Sequence, residues 1–557
     1  MKKLLFAAAC FLVFTNSYTS FGNNLEITEK PEIISIDTDN KTATVEFGIK
    51  WENSWRNDIP GGGYEEPYNH DAVWIFLKYK DDDGLWKHAM LNESDHSAPS
   101  EAEINIPADR KGAFILKSEN GYGTNDWQNI NIKWSYGDDD IDKIKGVNIK
   151  VFAIEMVYIP QGSFYLGDEG ETDRIWRQFH KILDDETTET PFEITSEDGF
   201  TLGGTTQGNL GNHDNFSENQ VLDYEDDFDN STTQWLPDAF PKGYNGFYIM
   251  KYEITQKQYV DYLNTLTRTQ QNTRTYTDVS GTTVSNVYVM TNTSSIYGSY
   301  RNGIRVQTPI ENTTDPLTFY CDLNENGIPN EDDDGLHVAC NFLGADGSAT
   351  YSDVQAYLFW AGLRPMTELE YEKAAKGSSD SPWNQGAGLD IAANGQLFSN
   401  LIRADGPVEE QENPGRIDEL IINPPDANAA HRDPSGFPGP YRVGIFAKDG
   451  TNRVQSGASY YGVMELSGNL LTPVIPVSND EHMDSRAFTG LHGDGNLNEQ
   501  GNPKSNFDWP VRMGSRGGSF NLGNRTLRVS ERNRATLPIN FRTDNWQTGG
   551  RGVRTAE

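Results

Sequence analysis

The last stretch of the chain, residues 514–557, constrains the fold most tightly. It reads GSRGGSFNLGNRTLRVSERNRATLPINFRTDNWQTGGRGVRTAE. An Arg-Gly-Gly-Ser strand start leads to Leu527 and Val529 alternating with Arg528. Arg532 and Arg534 follow, and a Gly-Gly-Arg-Gly-Val-Arg strand closes the chain. Guanidinium groups interleaved with core residues need carboxylates supplied from elsewhere. Some of these arginines are expected to pair in the core. Members left unpaired, drawn from Arg528, Arg532, Arg534 and Arg551, would make a pocket for a polar or anionic ligand. The stretch contains no cysteine.

The rest of the composition sets the compartment. A net charge of −36 argues against nucleic acid or an anionic membrane surface as partner. Lys2 and Lys3 precede an apolar run, Leu4 to Phe14, that is too short to span a bilayer, and Ser20-Phe21-Gly22 offers a cleavage site. Residues 1–22 are therefore read as a signal peptide, giving an exported protein (periplasmic, cell-surface or secreted) with no transmembrane segment in the mature chain. Lipidation at Cys10 is disfavoured because the apolar run continues past it.

Residues 25–155 read as a β-sandwich domain. Thr42 to Ile49 and Asn129 to Trp134 alternate at period two, and Ala72 to Leu77 is an unbroken apolar run suited to a buried strand. The Asp triplets at 81–83 and 138–140 fit solvated turn tips better than metal loops. Trp51, Trp55, Trp74, Trp86 and Trp127 are read mainly as core, with a carbohydrate-stacking surface as the alternative.

From residue 156 the text changes, and five ordered blocks follow. They are MVYIPQGSFYLGD (156–168), GFYIMKYEITQKQYVDYLNTL (246–266), a helix near 352–360 with GLRPMTELEYEKAA (362–375), YGVMELSGN (461–469) and the terminal stretch. Thr255 with Gln258, Ser352 with Gln355, and Thr367 with Glu370 have capping-box spacing, marking three helix starts. Glu368, Glu370 and Glu372 are read as capping and arginine-pairing groups rather than acid/base catalysts. Polar, Gly/Asn/Thr-rich insertions near 169–243, 268–350 and 378–455 separate the blocks and read as surface loops.

These blocks resemble the formylglycine-generating enzyme (sulfatase-modifying factor) family. The resemblance implies an α+β, C-type-lectin-like domain over 156–557, preceded by the β-sandwich. Catalytic members carry two copper-binding cysteines in the terminal stretch; this chain has none there, so copper is not expected. Leu471-Thr472 also stand where the family has a Trp-Glu pair, whose glutamate helps bind structural calcium in relatives.

A separate calcium signal lies at 322–333. Asp322, Asn324, Asn326, Asn330 and Asp333 fall at loop positions one, three, five, nine and twelve. Gly327 stands at six, and Ile328 offers its carbonyl at seven. Cys321 and Cys340 bracket this loop, and in an oxidising compartment they are expected to form a disulfide. The leading expectation is an exported, non-catalytic binding or assembly module at the cell envelope. Its partner would be a protein or a polar or anionic ligand, and its cofactor a structural calcium. The alternatives are a formylglycine-generating oxidase acting on sulfatase cysteines, or another metal-dependent oxidase.

Overall fold

The computed structural model describes residues 24–60, 66–142, 144–167, 178–183, 190–212, 233–291, 300–331, 334–343, 351–378, 429–430, 439–447, 453, 456–477, 479–480, 483–504, 507–522, 524–535 and 545–557. The expected signal peptide, Asp333 and most of the 378–455 insertion lie outside these residues.

Eight strands open the chain: β1 (Glu26–Asp37), β2 (Thr42–Arg56), β3 (Asp71–Lys80), β4 (Trp86–His88), β5 (Ala102–Asn105), β6 (Ala113–Lys117), β7 (Gly121–Trp134) and β8 (Asn148–Ile159). One sheet has the order β1-β2-β7. Along β2, Ala43, Val45, Phe47, Ile49 and Trp51 alternate inward and are all buried. On β7, Trp127, Ile130, Ile132 and Trp134 face the same core. That set breaks the two-residue period between 127 and 130. A register shift opposite Phe47 and Ile49 absorbs the break, with Asn129 at φ 57°. A bulge there restores the phase that a plain strand would have lost.

The central sheet explains the unbroken apolar run of β3. Its order runs from Val553–Thr555 through Phe247–Met250 to β8, β3, β6 and β5, with β4 also paired to β3. Val73, Ile75 and Leu77 pack with Ala113 and Ile115 against the β1-β2-β7 sheet. Ala72, Trp74 and Phe76 face the opposite way, into a core shared with the C-terminal helices. A strand covered on both faces needs no polar alternation. The domain boundary expected at 155/156 falls within β8, which pairs with β3 on one side and with Phe247–Met250 on the other.

Four α-helices are described: α1 (Gln256–Leu263), α2 (Arg268–Arg274), α3 (Asp353–Trp360) and α4 (Glu368–Lys376). The protein is thus mostly sheet with few helices, an α+β arrangement among the described residues. All three expected capping boxes are formed, at Thr255/Gln258, Ser352/Gln355 and Thr367/Glu370. A fourth, Thr267/Gln270, opens α2. The helices cover the outer face of the central sheet: Trp74 Nε1 donates to the Ala361 carbonyl at 2.9 Å, and Phe76 meets Trp360 edge-on at 5.1 Å.

Two insertions expected as loops contain regular structure. Phe179–Lys181, Leu210–Asn212, Phe200–Leu202 and Gln234–Leu236 form a four-stranded sheet, and Leu202, Leu210 and Leu236 are fully buried. Further on, Ile304–Val306 pairs with Phe319–Cys321 beside α1. Strands of three residues are too short to show periodicity.

Candidate functional site

The terminal arginines build core rather than a pocket. Thr367 caps α4, so Glu368 lies in its first turn. Arg516 donates to Glu368 and Glu372, both at 2.7 Å, and Arg532 holds Glu368 in a fork at 2.7 and 2.8 Å. Burial alone would raise Glu368, but Arg532 and Arg516 hold it below the usual range. Arg551 is buried beneath strand Phe247–Met250 and donates to the Glu465 carbonyl at 2.9 Å. Arg528 is buried as well, and Arg534 is half-buried. The ligand pocket expected from Arg528, Arg532, Arg534 and Arg551 is corrected accordingly: buried carboxylates and carbonyls take Arg532 and Arg551 into the interior.

The calcium-like loop adopts a tight turn, with Gly327 at φ 80°. Asn324 Oδ1 accepts from the Asn326 amide at 2.9 Å, and Asn326 Oδ1 from the Ile328 amide at 2.7 Å. Asn330 Oδ1 accepts from the Cys321 amide at 3.1 Å. Asp322, expected as the first ligand, is fully buried and its Oδ2 pairs with Arg305. A cation would have to displace that guanidinium. Among the described residues no group of three or more His, Cys, Asp or Glu side chains is gathered as a metal site.

Cys321 and Cys340 are free thiols in the structure, so the expected bridge is not formed. Both are wholly buried, and burial pushes both thiols up. The Asn302 amide donates to Cys340 Sγ at 3.9 Å. At the departure from the family pattern, Leu471 is buried and Thr472 begins a strand paired with Gly514–Arg516.

The site that sequence reasoning missed is a cleft of about 730 Å³ where the first sheet meets the C-terminal half. Trp55 on β2 and Tyr122 on β7 are cross-strand partners and form one wall. Tyr252, just beyond strand Phe247–Met250, and Tyr461 form the other. Asn69 fastens the walls together: its Oδ1 accepts from Trp55 Nε1 at 3.1 Å, and its amide donates to the Tyr461 carbonyl at 2.9 Å. Gly462 has φ 93°, and a Cβ there would come within 3.0 Å of the Trp55 ring. Only glycine allows that approach without strain.

At the base of the cleft Lys251 lies 4.9 Å from the Trp55 ring centroid and bonds Glu155 Oε1. Asp71, 3.8 Å from the same ammonium, accepts from Ser54 at 2.6 Å, from the Trp55 amide at 3.0 Å and from Trp51 Nε1 at 3.1 Å. Burial pushes Glu155 up to about 7 against the pull of Lys251. One lysine thus serves two buried carboxylates, and burial pushes both above their usual range against its pull. Tyr252 and Tyr461 are 5% and 6% exposed, yet neither hydroxyl has a hydrogen-bond partner among the described residues. Both residues line the cleft, and neither hydroxyl is among the enclosed unpartnered atoms, so both open onto it.

No family model matches the chain, and no curated protein matches it. Among solved structures it is similar to Treponema denticola variable protein 1, at 13% identity and a TM-score of 0.25, over 73% of this chain and 96% of that one. No fold follows from a likeness at that level.

Proposed function

We propose that the protein is an exported, non-catalytic member of the formylglycine-generating enzyme family that acts as a binding or assembly module at the cell envelope. The aromatic cleft is its binding site. The observation that carries this reading is the pair of nearly buried tyrosines whose hydroxyls open, without partners, onto a cleft of ligand size. Buried polar groups in a finished interior are paired, so unpartnered ones in a cleft mark where something else binds.

The family reading is supported by the central sheet, where strands from the first, second and last sequence blocks lie side by side. A C-type-lectin-like domain brings its two ends together in this way. The two sheets packed over a common core support a β-sandwich for 25–155. The acids of the third block serve arginines and a helix cap, which supports a structural role for them. Cys321 and Cys340, held protonated in the core, are poorly suited to serve as copper thiolates. In the same reading, calcium in the 322–333 loop is structural and competes with Arg305.

Co-sedimentation with isolated envelopes of the producing organism tests the proposal. The purified protein is expected to pellet with them, and Tyr122→Ala is expected to remain in solution. Equal sedimentation of both proteins, or aldehyde formed by copper-loaded protein on a sulfatase-type cysteine peptide, overturns it.

A further inference from the structure

We propose that the cleft takes a glycan, with the flat C–H face of a pyranose ring against Tyr122 and Trp55 and its hydroxyls on Tyr252, Tyr461 and Asn53. This rests on the binding-module reading and names the ligand class for the same site.

The aromatic wall supplies the first half of the recognition. Tyr122 is 67% exposed, and Trp55 is its half-buried partner across the strand pair. Large rings are costly to leave in water, and their faces suit flat apolar surfaces that carry a polar edge. A sugar ring is such a surface. The polar complement supplies the second half. A tyrosine hydroxyl both donates and accepts, so the hydroxyls of Tyr252 and Tyr461 suit a ligand that does the same at each position. Asn53, exposed at the rim with φ 56°, adds an amide with no side-chain partner among the described residues.

The charges in the cleft narrow the choice further. Lys251 is occupied by Glu155 and Asp71. Arg453 donates to the Tyr460 carbonyl and lies 5.2 Å from that ring. Lys251 is thus matched by carboxylates, and among the described lining residues the single carboxylate, Glu66, already accepts from Tyr460 at 3.3 Å. The preferred ligand is therefore rich in hydroxyls and carries no cation that would meet Arg453. A peptide fits less well. An apolar anchor would strip water from two hydroxyls without replacing it.

Calorimetry with maltoheptaose, cellohexaose, chitohexaose and mannohexaose tests this on the purified protein. At least one is expected to bind. Tyr461→Phe should weaken it about fivefold, the loss of one hydrogen bond, and Tyr122→Ala about tenfold, the loss of a stacking face. Tyr461→Phe should keep the wild-type Tm, because it removes a single oxygen. If no oligosaccharide binds but Tyr122→Ala still abolishes envelope sedimentation, the glycan assignment falls and the binding module stands, with peptide as the ligand class. Oligosaccharide binding unchanged in both variants removes the cleft as the site. Loss of both oligosaccharide binding and variant-sensitive sedimentation removes both readings.

Discussion

Arg364 and Glu370 form a fully buried fork, Nη2 to Oε1 at 2.6 Å and Nη1 to Oε2 at 2.8 Å. The same carboxylate accepts from the Thr367 amide at 2.9 Å and so closes the cap of α4. Arg364 also pairs through its backbone with Val553, on the last strand of the central sheet. One residue, by its side chain and its backbone, therefore couples a helix start to the edge of the central sheet.

Removing that carboxylate should be costly. Glu370→Ala leaves a buried guanidinium without its counter-charge and opens the cap, a loss of about 3–5 kcal/mol. Glu370→Gln keeps one acceptor and should lose less. Chemical denaturation of the three proteins gives the order. A catalytic glutamate would give the opposite pattern, with activity lost and stability kept.

The helix starts were legible because a capping box is local: Thr367 and Glu370 are three residues apart, and the geometry follows from that spacing. The buried run of β3 was legible as a strand, but nothing within Ala72 to Leu77 says that helices cover its second face. The cleft was illegible for a different reason. Trp55, Tyr122, Tyr252 and Tyr461 come from four distant parts of the chain, and no window of sequence holds two of them. Trp55 stands in the sequence among tryptophans that read as core, with a carbohydrate-stacking surface as the alternative. Its cross-strand neighbour Tyr122 became visible only with the register of β2 on β7. The arginine pocket failed because pairing depends on where Glu368 and Glu372 come to rest, which spacing near residue 530 does not contain.

Two carboxylates give opposite pH dependences. Asp58 is bonded to His70 Nδ1 at 2.5 Å and to Arg56 at 3.1 Å. Burial would raise it, but these partners bring it down to about 2. Its folded value is depressed, so its contribution is full above the ordinary aspartate value, about 3.9, and is lost as pH falls towards about 2. Asp58→Asn should flatten Tm against pH in that window, an effect on the order of 1 kcal/mol after solvent screening. An unchanged acid limb would show that the pair contributes nothing.

Glu465 behaves the other way. Its Oε1 accepts from the Gly444 amide at 2.7 Å, while Oε2 is enclosed without a partner. Burial pushes it up to about 7 despite the nearby Arg551. The folded state therefore holds a proton that the unfolded chain releases near pH 4.3, and stability declines as pH rises from there towards about 7. Glu465→Gln should remove that decline and raise Tm at pH 8 relative to the parent. A variant less stable than the parent at pH 8 would mean that the carboxylate is ionised and paired in the folded protein.

The two cysteines separate three chemistries by alkylation. As buried thiols held protonated, Cys321 and Cys340 should resist iodoacetamide in the folded protein and label fully on unfolding without reductant. A disulfide would keep both unlabelled until reductant is added. Metal-activated thiolates would label in the native chain. Peptide mapping of the alkylated protein distinguishes the outcomes directly.

In the proposed reading of the 322–333 loop, calcium competes with Arg305 for Asp322. The carboxylate of Asp322 is the first oxygen of the loop, and Arg305 holds it with a guanidinium that also lies 5.4 Å from the Tyr288 ring. Calcium gains a charged ligand only by taking that carboxylate from the arginine, so the pair lowers the loop's affinity by the free energy of its own contact. Arg305→Met removes the competitor and keeps an apolar side chain beside Tyr288. It should raise calcium affinity about tenfold, equivalent to about 1.4 kcal/mol. Ligand binding to the folded state alone raises stability with the logarithm of free ligand over Kd, so the variant's Tm should respond to lower calcium than the parent's. Asp322→Asn should abolish the response in both backgrounds. A Tm that ignores calcium and chelator in parent and variant alike would leave 322–333 as an acidic turn held by Arg305, with no role for a cation.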